Sequence, residues 1–213
     1  MIAPARRAAT VALLRDGPAG LQVFVMQRAA SMAAAPDMHV FPGGGLDPAD
    51  GPPGDPASTR NAARRELVEE TGIVLPDDGP LVYFARWITP EALPHRHDTD
   101  FFAAALPAGQ EPELVGTEAQ ACHWTAPGDA IGDASAGRIG LLPPTAAAMF
   151  QLAEFTSTAD ALAGLVRASV PALMPVRGPD GWVLRDTEAG RDITDPAEVG
   201  MPPGWRPIPP GLR

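Results

Sequence analysis

At 213 residues, 45% of them hydrophobic, the chain has apolar material for one cored domain with room for an elaboration. Its formal charge of −10 sets 26 acids against 16 cations, all arginine and none in a long run. That excludes a general binder of nucleic-acid polymers or anionic membranes, whose phosphates demand clustered positive charge.

The start of the chain, through Ala8-Ala-Thr-Val-Ala-Leu-Leu14, ends at Arg15-Asp16 with no cleavage-like site and reads as a strand rather than a signal peptide. Residues 8–15 and 21–28 are β-rich runs split by Asp16-Gly17-Pro18-Ala19-Gly20, the pattern of a hairpin. A short apolar run, 38–41, leads into Pro42-Gly43-Gly44-Gly45, where backbone can approach something closely. Asp55-Pro56 reads as an N-cap and first turn, and the helix runs to Thr71 with Gly72 as its left-handed stop. Strands are expected at 81–89, 101–106 and 118–124, and helices at 145–155 and 158–168. Met149, Phe150, Leu152, Phe155, Leu162, Leu165 and Val166 give those helices a face to pack on a sheet. Phe101, Phe102 and Trp87 read as core. Beyond Pro171 a second hairpin, 173–176 with 182–185 around Gly178-Pro179-Asp180-Gly181, precedes an irregular tail. Residues 1–170 thus form the main domain, and 171–213 an extension packed on it. No stretch reaches the ~20 apolar residues of a membrane span. The single cysteine, Cys122, allows no internal disulfide and reads as a small buried filler, so a cytoplasmic setting is expected.

Chemistry concentrates on the helix after the glycine loop. Glu66, Glu69 and Glu70 stand at i, i+3 and i+4, within an arc of about 100°. Like charges at this spacing repel, unless Arg64 and Arg65 balance a solvated face or a cation lies between them. Hard divalent ions such as Mg²⁺ or Mn²⁺ favour such oxygen ligands and bridge to phosphates.

Phe41-Pro42-Gly43-Gly44, a loop, and then Arg65-Glu66-Leu67-Val68-Glu69-Glu70-Thr71-Gly72-Ile73 closely resembles the Nudix box of Nudix hydrolases. The helical half matches at every fixed position, and the wider resemblance spans about residues 8–155. Gly44 and Arg65 are 21 positions apart, longer than the family's usual spacing, and the glutamate ordinarily found in that loop has no clear counterpart. Asp47, Asp50 and Asp55 are the available acids there. The lengthened box, with Trp87-Ile88-Thr89-Pro90, Arg96-His97-Asp98-Thr99, Phe101-Phe102 and Leu141-Leu142-Pro143-Pro144-Thr145, looks like the branch that includes peroxisomal-type coenzyme A diphosphatases.

The resemblance implies an α/β fold, a Nudix-like α/β/α sandwich around a mixed sheet. It also implies Mg²⁺- or Mn²⁺-dependent hydrolysis of a diphosphate X-P-P-Y. Glu66, Glu69 and Glu70 would hold the metal, with Glu66 also a candidate base, and the Gly43 carbonyl would be the loop ligand. Arg65 would keep these acids in register, and Glu118 occupies the place of a further ligand or base, or is an exposed strand-end acid. Arg28 and Arg96 are candidate substrate cations, with ion pairs as the alternative (for Arg96, to Asp98). His95 and His97, two apart, would face opposite sides of a strand and form no metal pair. Coenzyme A or an acyl derivative is the first substrate expectation, then an ADP-sugar or dinucleotide. A ligand-binding protein without catalysis is the remaining class. Dimers are common in that family, though the sequence marks no interface.

Overall fold

The computed structural model describes residues 3–32, 35–179 and 181–207; Asp180 of the expected second turn and the end of the expected tail lie outside them. The first hairpin forms as β1 (Arg6–Gly17) and β2 (Gly20–Arg28), with Gly17 opposite Gly20. Two short strands follow, β3 (Met38–Val40) and β4 (Gly43–Gly45), then α1 (Pro56–Thr71). Next come β5 (Val82–Ile88), β6 (His97–Ala105), β7 (Ala119–Thr125), α2 (Pro127–Ser135) and β8 (Gly140–Leu141). The chain continues through α3 (Pro143–Leu152), α4 (Thr158–Gly164), β9 (Ala172–Gly178), β10 (Gly181–Asp186) and β11 (Arg191–Ile193).

The strands join in one mixed sheet in the order β11-β10-β9-β5-β6-β1-β2-β3-β8, with β4 on β1 and β7 on β2. The β1–β6, β5–β9 and β3–β8 pairs are parallel and the others antiparallel. Side chains alternate between faces. Val11, Leu13, Phe24 and Phe102 pack beneath α1 with Leu67, whereas Ala12, Leu14, Val23 and Phe101 meet Met149, Leu152, Ala161 and Leu165 of the helices on the opposite face. The result is the helix–sheet–helix sandwich expected, with a core on each face.

Residues after 171 extend the sheet: β9 lies parallel to β5, and Trp205 meets Trp87 edge to face at 6.3 Å. Several elements escape the sequence pattern. An additional helix, α2, is built largely of Gly, Ala and Asp, and β11 is too short to show a period. Pro143 and Pro144 occupy the first turn of α3 instead of preceding it. Because α4 stops at Gly164, Val166 is 68% exposed instead of packed. Cys122 is free and only partly buried.

The placement of α1 sets up the site. Asp55 accepts from the Ala57 N–H and Gly72 closes the other end at φ 71°, donating to the Val68 carbonyl. Ala62, Ala63 and Leu67 are fully buried, and the two alanines let the helix axis approach β1 and β4. Glu66 and Glu70 continue the Ala62 row at intervals of four, so they are delivered to the glycine strand.

Candidate active site

The Pro42-Gly43-Gly44 bend is fixed first. The Pro42 carbonyl accepts from the Val11 N–H at 2.8 Å and the Thr10 hydroxyl at 2.7 Å, which lays Gly43 and Gly44 against Thr10 and Ala9. The Gly43 N–H then donates to Glu70 Oε2 at 2.7 Å. A side chain at Gly43 would strike the Ala9 carbonyl and Thr10, and one at Gly44 would overlap the Glu66 carboxylate. The bare stretch is therefore space that Glu66 uses.

Burial drives the Glu70 carboxyl up to about 7, helped by repulsion from Glu66 and Glu118; the Gly43 N–H and the Arg28 charge pull the other way. Burial also raises Glu66, against the pull of Arg65 and with Glu69 and Glu118 adding repulsion. Glu118 is exposed, just ahead of β7, yet its charge reaches both acids and it lines the same cavity as Glu70. Three acids thus converge from α1 and the approach to β7. Glu69 does not join them: its side chain is 56% exposed and pairs with Arg65 at 2.9 Å, because it sits at the solvent edge of the 100° arc.

Arg65 ties the acids to the long loop. Its guanidinium meets Glu66 Oε1, Glu69 Oε2, Asp50 Oδ2 and the Gly45 carbonyl, each at 2.9 Å. Asp50 closes a 3-10 turn, Pro48–Asp50, and accepts from the Asp47 N–H, while Asp47 accepts from Ala49. Burial alone would push the Asp50 carboxyl up, but the Arg65 bonds and the Asp47 N–H outweigh it and hold it below the ordinary range. Among the three loop acids, Asp50 is thus the one that grips Arg65; Asp55 is the cap of α1 and Asp47 the cap of the turn. Sequence reasoning could have set Asp55 aside as the helix cap, but nothing in the sequence separates Asp50 from Asp47.

A cavity of about 580 Å³ opens beside these acids, between the sheet and the start of α3. Gly43, Gly44, Glu70, Glu118 and Arg28 line one part. The remainder is built by Trp87–Pro90, Leu93–His95, His97, Thr99, Phe101 and Leu142–Thr145. His95 precedes β6 and shares this wall with His97. The expectation of opposite faces misapplied strand alternation, since positions two apart on a strand share a face, and here only His97 lies in β6. Arg96 is turned elsewhere: it donates to the carbonyls of Thr89 (3.1 Å) and Ala3 (2.7 Å), and among the described residues Asp98 pairs with Arg7 and Arg86 rather than with it. That aspartate instead joins Arg7, Arg86, Asp100 and Glu188 in an ion-pair network across β1, β5 and β6, which the sequence pattern did not reveal.

Among the described residues, no three Asp, Glu, His or Cys side chains converge tightly enough to enclose an ion as they stand. The donors nevertheless suit a hard cation. Glu66 and Glu70 are held above their ordinary titration range by burial and by the charge of neighbouring acids, and a glycine-bare backbone lies against them. Such an arrangement is relieved by a divalent charge with oxygen preference. No helix is long and apolar enough to cross a membrane among the described residues.

The family model described as the NUDIX domain matches residues 4–144. A Caenorhabditis elegans protein whose name reads nudix hydrolase 7 is 25% identical over 167 residues, covering 62% of this chain and 56% of that protein. The chain therefore spans little more than half the length of that relative. The crystal structure of a NUDIX hydrolase from Alicyclobacillus acidocaldarius aligns with a TM-score of 0.71 at 25% identity, covering 79% of this chain and 100% of that one.

Proposed function

The chain belongs to the Nudix family, and from that premise we propose that it is a divalent-metal-dependent hydrolase cleaving the diphosphate bond of X-P-P-Y, with coenzyme A or an acyl derivative as its first substrate. The observation that carries this reading is that Glu70 and Glu118 line a cavity of about 580 Å³ together with the bare Gly43-Gly44 backbone, against which the Glu66 carboxylate is packed. That volume is within the range that holds small-molecule ligands.

Glu66 and Glu70 are the residues that would hold Mg²⁺ or Mn²⁺, with the Gly43 carbonyl and Glu118 at hand. Bound there, such ions supply the charge that offsets phosphoryl oxygens and make water a better nucleophile. The protein's own part is positional. Arg65 fixes the Glu66 carboxylate and the Gly43 N–H fixes that of Glu70, while Glu118 and Glu66 are the acids placed to take a proton from attacking water. Arg28 faces the cavity beside Glu70 and suits a phosphate oxygen.

Coenzyme A ranks first because the far wall is aliphatic. Ile88, Leu93, Leu142, Pro143 and Pro175 line it, whereas the rings of Trp87, Phe101 and Phe41 are buried in the walls and offer no open face for stacking a base. An extended pantetheine or acyl chain matches such a surface better than a second purine does. The test is a panel of diphosphates with Mg²⁺ and with Mn²⁺: coenzyme A, an acyl-coenzyme A, an ADP-sugar and a dinucleotide. Metal-dependent release of 4′-phosphopantetheine supports the reading. Faster turnover of the ADP-sugar or dinucleotide transfers it to those substrates, and binding without turnover across the panel refutes catalysis.

A further inference from the structure

We propose that the C-terminal extension, through Pro175, closes the far end of the cavity and sets how long an apolar tail the substrate can carry, which makes Pro175 a specificity-determining residue. The inference rests on the diphosphatase reading for where the diphosphate lies and adds what limits the substrate's other end. Its basis is the register of the strands beneath the cavity. Thr10 of β1 lies beside Gly43 and pairs on its other flank with Phe101 of β6. Two residues along β6, Thr99 pairs with Trp87 of β5, and Trp87 pairs in turn with Leu173 of β9. Pro175, two residues beyond Leu173, shares that face and lines the cavity. The cavity is therefore a trough that crosses the sheet from the glycine bend to the extension, and does not follow any one strand.

Its length follows from the same register. Four strand spacings, ~19 Å, and four residues of rise, ~13 Å, separate Gly43 from Pro175 by up to ~23 Å. From the diphosphate to the sulfur of coenzyme A is about 13 bonds, or ~16 Å when extended at ~1.2 Å per bond. The ~7 Å that is left holds an acyl chain of about four carbons. The end wall is backed from behind. Pro175 is buried and lies opposite Leu184 of β10, which is itself buried. The Thr187 N–H and hydroxyl both donate to the Ala172 carbonyl, at 2.9 and 3.1 Å, and Arg96 reaches Met174 Sδ at 3.8 Å. A tail that overruns such a wall must displace packed side chains, which is costly. Pro175 lies beyond residues 4–144, the part that matches the family model, so the length limit belongs to this chain's own extension.

Thioesters that differ only in tail length test the wall. Coenzyme A, butanoyl-coenzyme A and octanoyl-coenzyme A are compared in kcat/KM with Mg²⁺, for the parent, Pro175→Ala and Pro175→Phe. The same ligands are titrated by calorimetry with chelator, which needs no turnover. The parent is expected to favour the butanoyl over the octanoyl thioester by about tenfold. Pro175→Ala, which removes two methylenes from the wall, should reduce that ratio below about threefold. Pro175→Phe, which fills the end, should weaken the butanoyl thioester about tenfold relative to coenzyme A. A poorly folded variant weakens every ligand alike and leaves the ratios intact, so the ratios read the wall. Equal handling of the two thioesters by the parent, ratios unmoved in both variants, or failure of every thioester to bind overturns the proposal. If nothing is hydrolysed yet binding shows the length limit and the variants shift it, the wall stands and the catalytic reading falls. Hydrolysis of the thioesters without regard to tail length does the reverse.

Discussion

Replacing Glu70 by Gln separates the charge of this carboxylate from its shape. The Gln carbonyl oxygen can still accept from the Gly43 N–H that Glu70 now engages at 2.7 Å, so the bend is preserved while the anion is lost. The Glu70 carboxyl is raised from 4.5 to about 7, chiefly by burial, so the folded protein holds a proton there that the unfolded chain releases. Stability from this group is complete below about pH 4.5 and is lost as pH rises through about 7. Above that window the charged form costs roughly 3.4 kcal/mol, about 2.5 units at 1.36 kcal/mol per unit. The metal-free Glu70→Gln variant should therefore be the more stable protein at pH 8, with Tm higher by roughly 7–13 °C at this chain length. At pH 5 the two should differ by less than about 1 kcal/mol. Calorimetric melting with chelator at the two pH values measures both differences. Adding Mg²⁺ should raise the Tm of the parent and not that of the variant, and Mg²⁺-dependent turnover should fall at least ~100-fold in the variant. A variant no more stable than the parent at pH 8, or one that keeps its turnover, refutes the reasoning.

The two glycines should fail differently. Gly43→Ala drives a methyl into the Ala9 carbonyl and Thr10 and should cost about 2 kcal/mol of stability in urea unfolding. Gly44→Ala meets only the end of the Glu66 side chain, so turnover should drop more than about tenfold while stability moves by less than about 1 kcal/mol. Arg65→Ala leaves the Asp50 carboxylate, 4% exposed, without its partner and should cost about 2–3 kcal/mol, less than a fully buried pair because Arg65 is partly open to water. A double-mutant cycle with Asp50→Asn should return a coupling above about 1 kcal/mol. Truncation after residue 170 uncovers the β5 edge and removes buried Leu173, Leu184 and Ile193, each worth ~1.5–3 kcal/mol. The shortened chain should aggregate or melt more than about 10 °C lower.

Local signals in the sequence were strong wherever one residue decides one conformation. Asp55-Pro56 and Gly72 bracket α1, and Asp16 to Gly20 marks the first hairpin, because caps and turns depend on near neighbours. The fold class followed from the resemblance of the Gly43-Gly44 bend and the glutamate helix to the Nudix box. Less legible were features settled by distant contacts. Whether Asp47 or Asp50 meets Arg65 depends on how a 3-10 turn folds the loop back under α1. The joining of β9 to β5 depends on an open sheet edge, which no residue in either strand announces. Glu69 and Glu66 look equivalent on a helical wheel, and only the direction from which the glycine strand approaches turns one inward and leaves the other with Arg65 in water. The opposite-face expectation for His95 and His97 failed for a different reason, since alternation places residues two apart along a strand on the same side.

The central claim is that Glu66 and Glu70 bind divalent cations at the Gly43-Gly44 bend. Electron paramagnetic resonance of Mn²⁺ titrated into the metal-free protein measures this directly, because bound ion loses the signal of the free hydrated ion. The parent should take up Mn²⁺ tightly at pH 8, and the Glu66→Gln/Glu70→Gln double variant, still folded, should leave it free in solution. Equal uptake by both proteins would contradict the account.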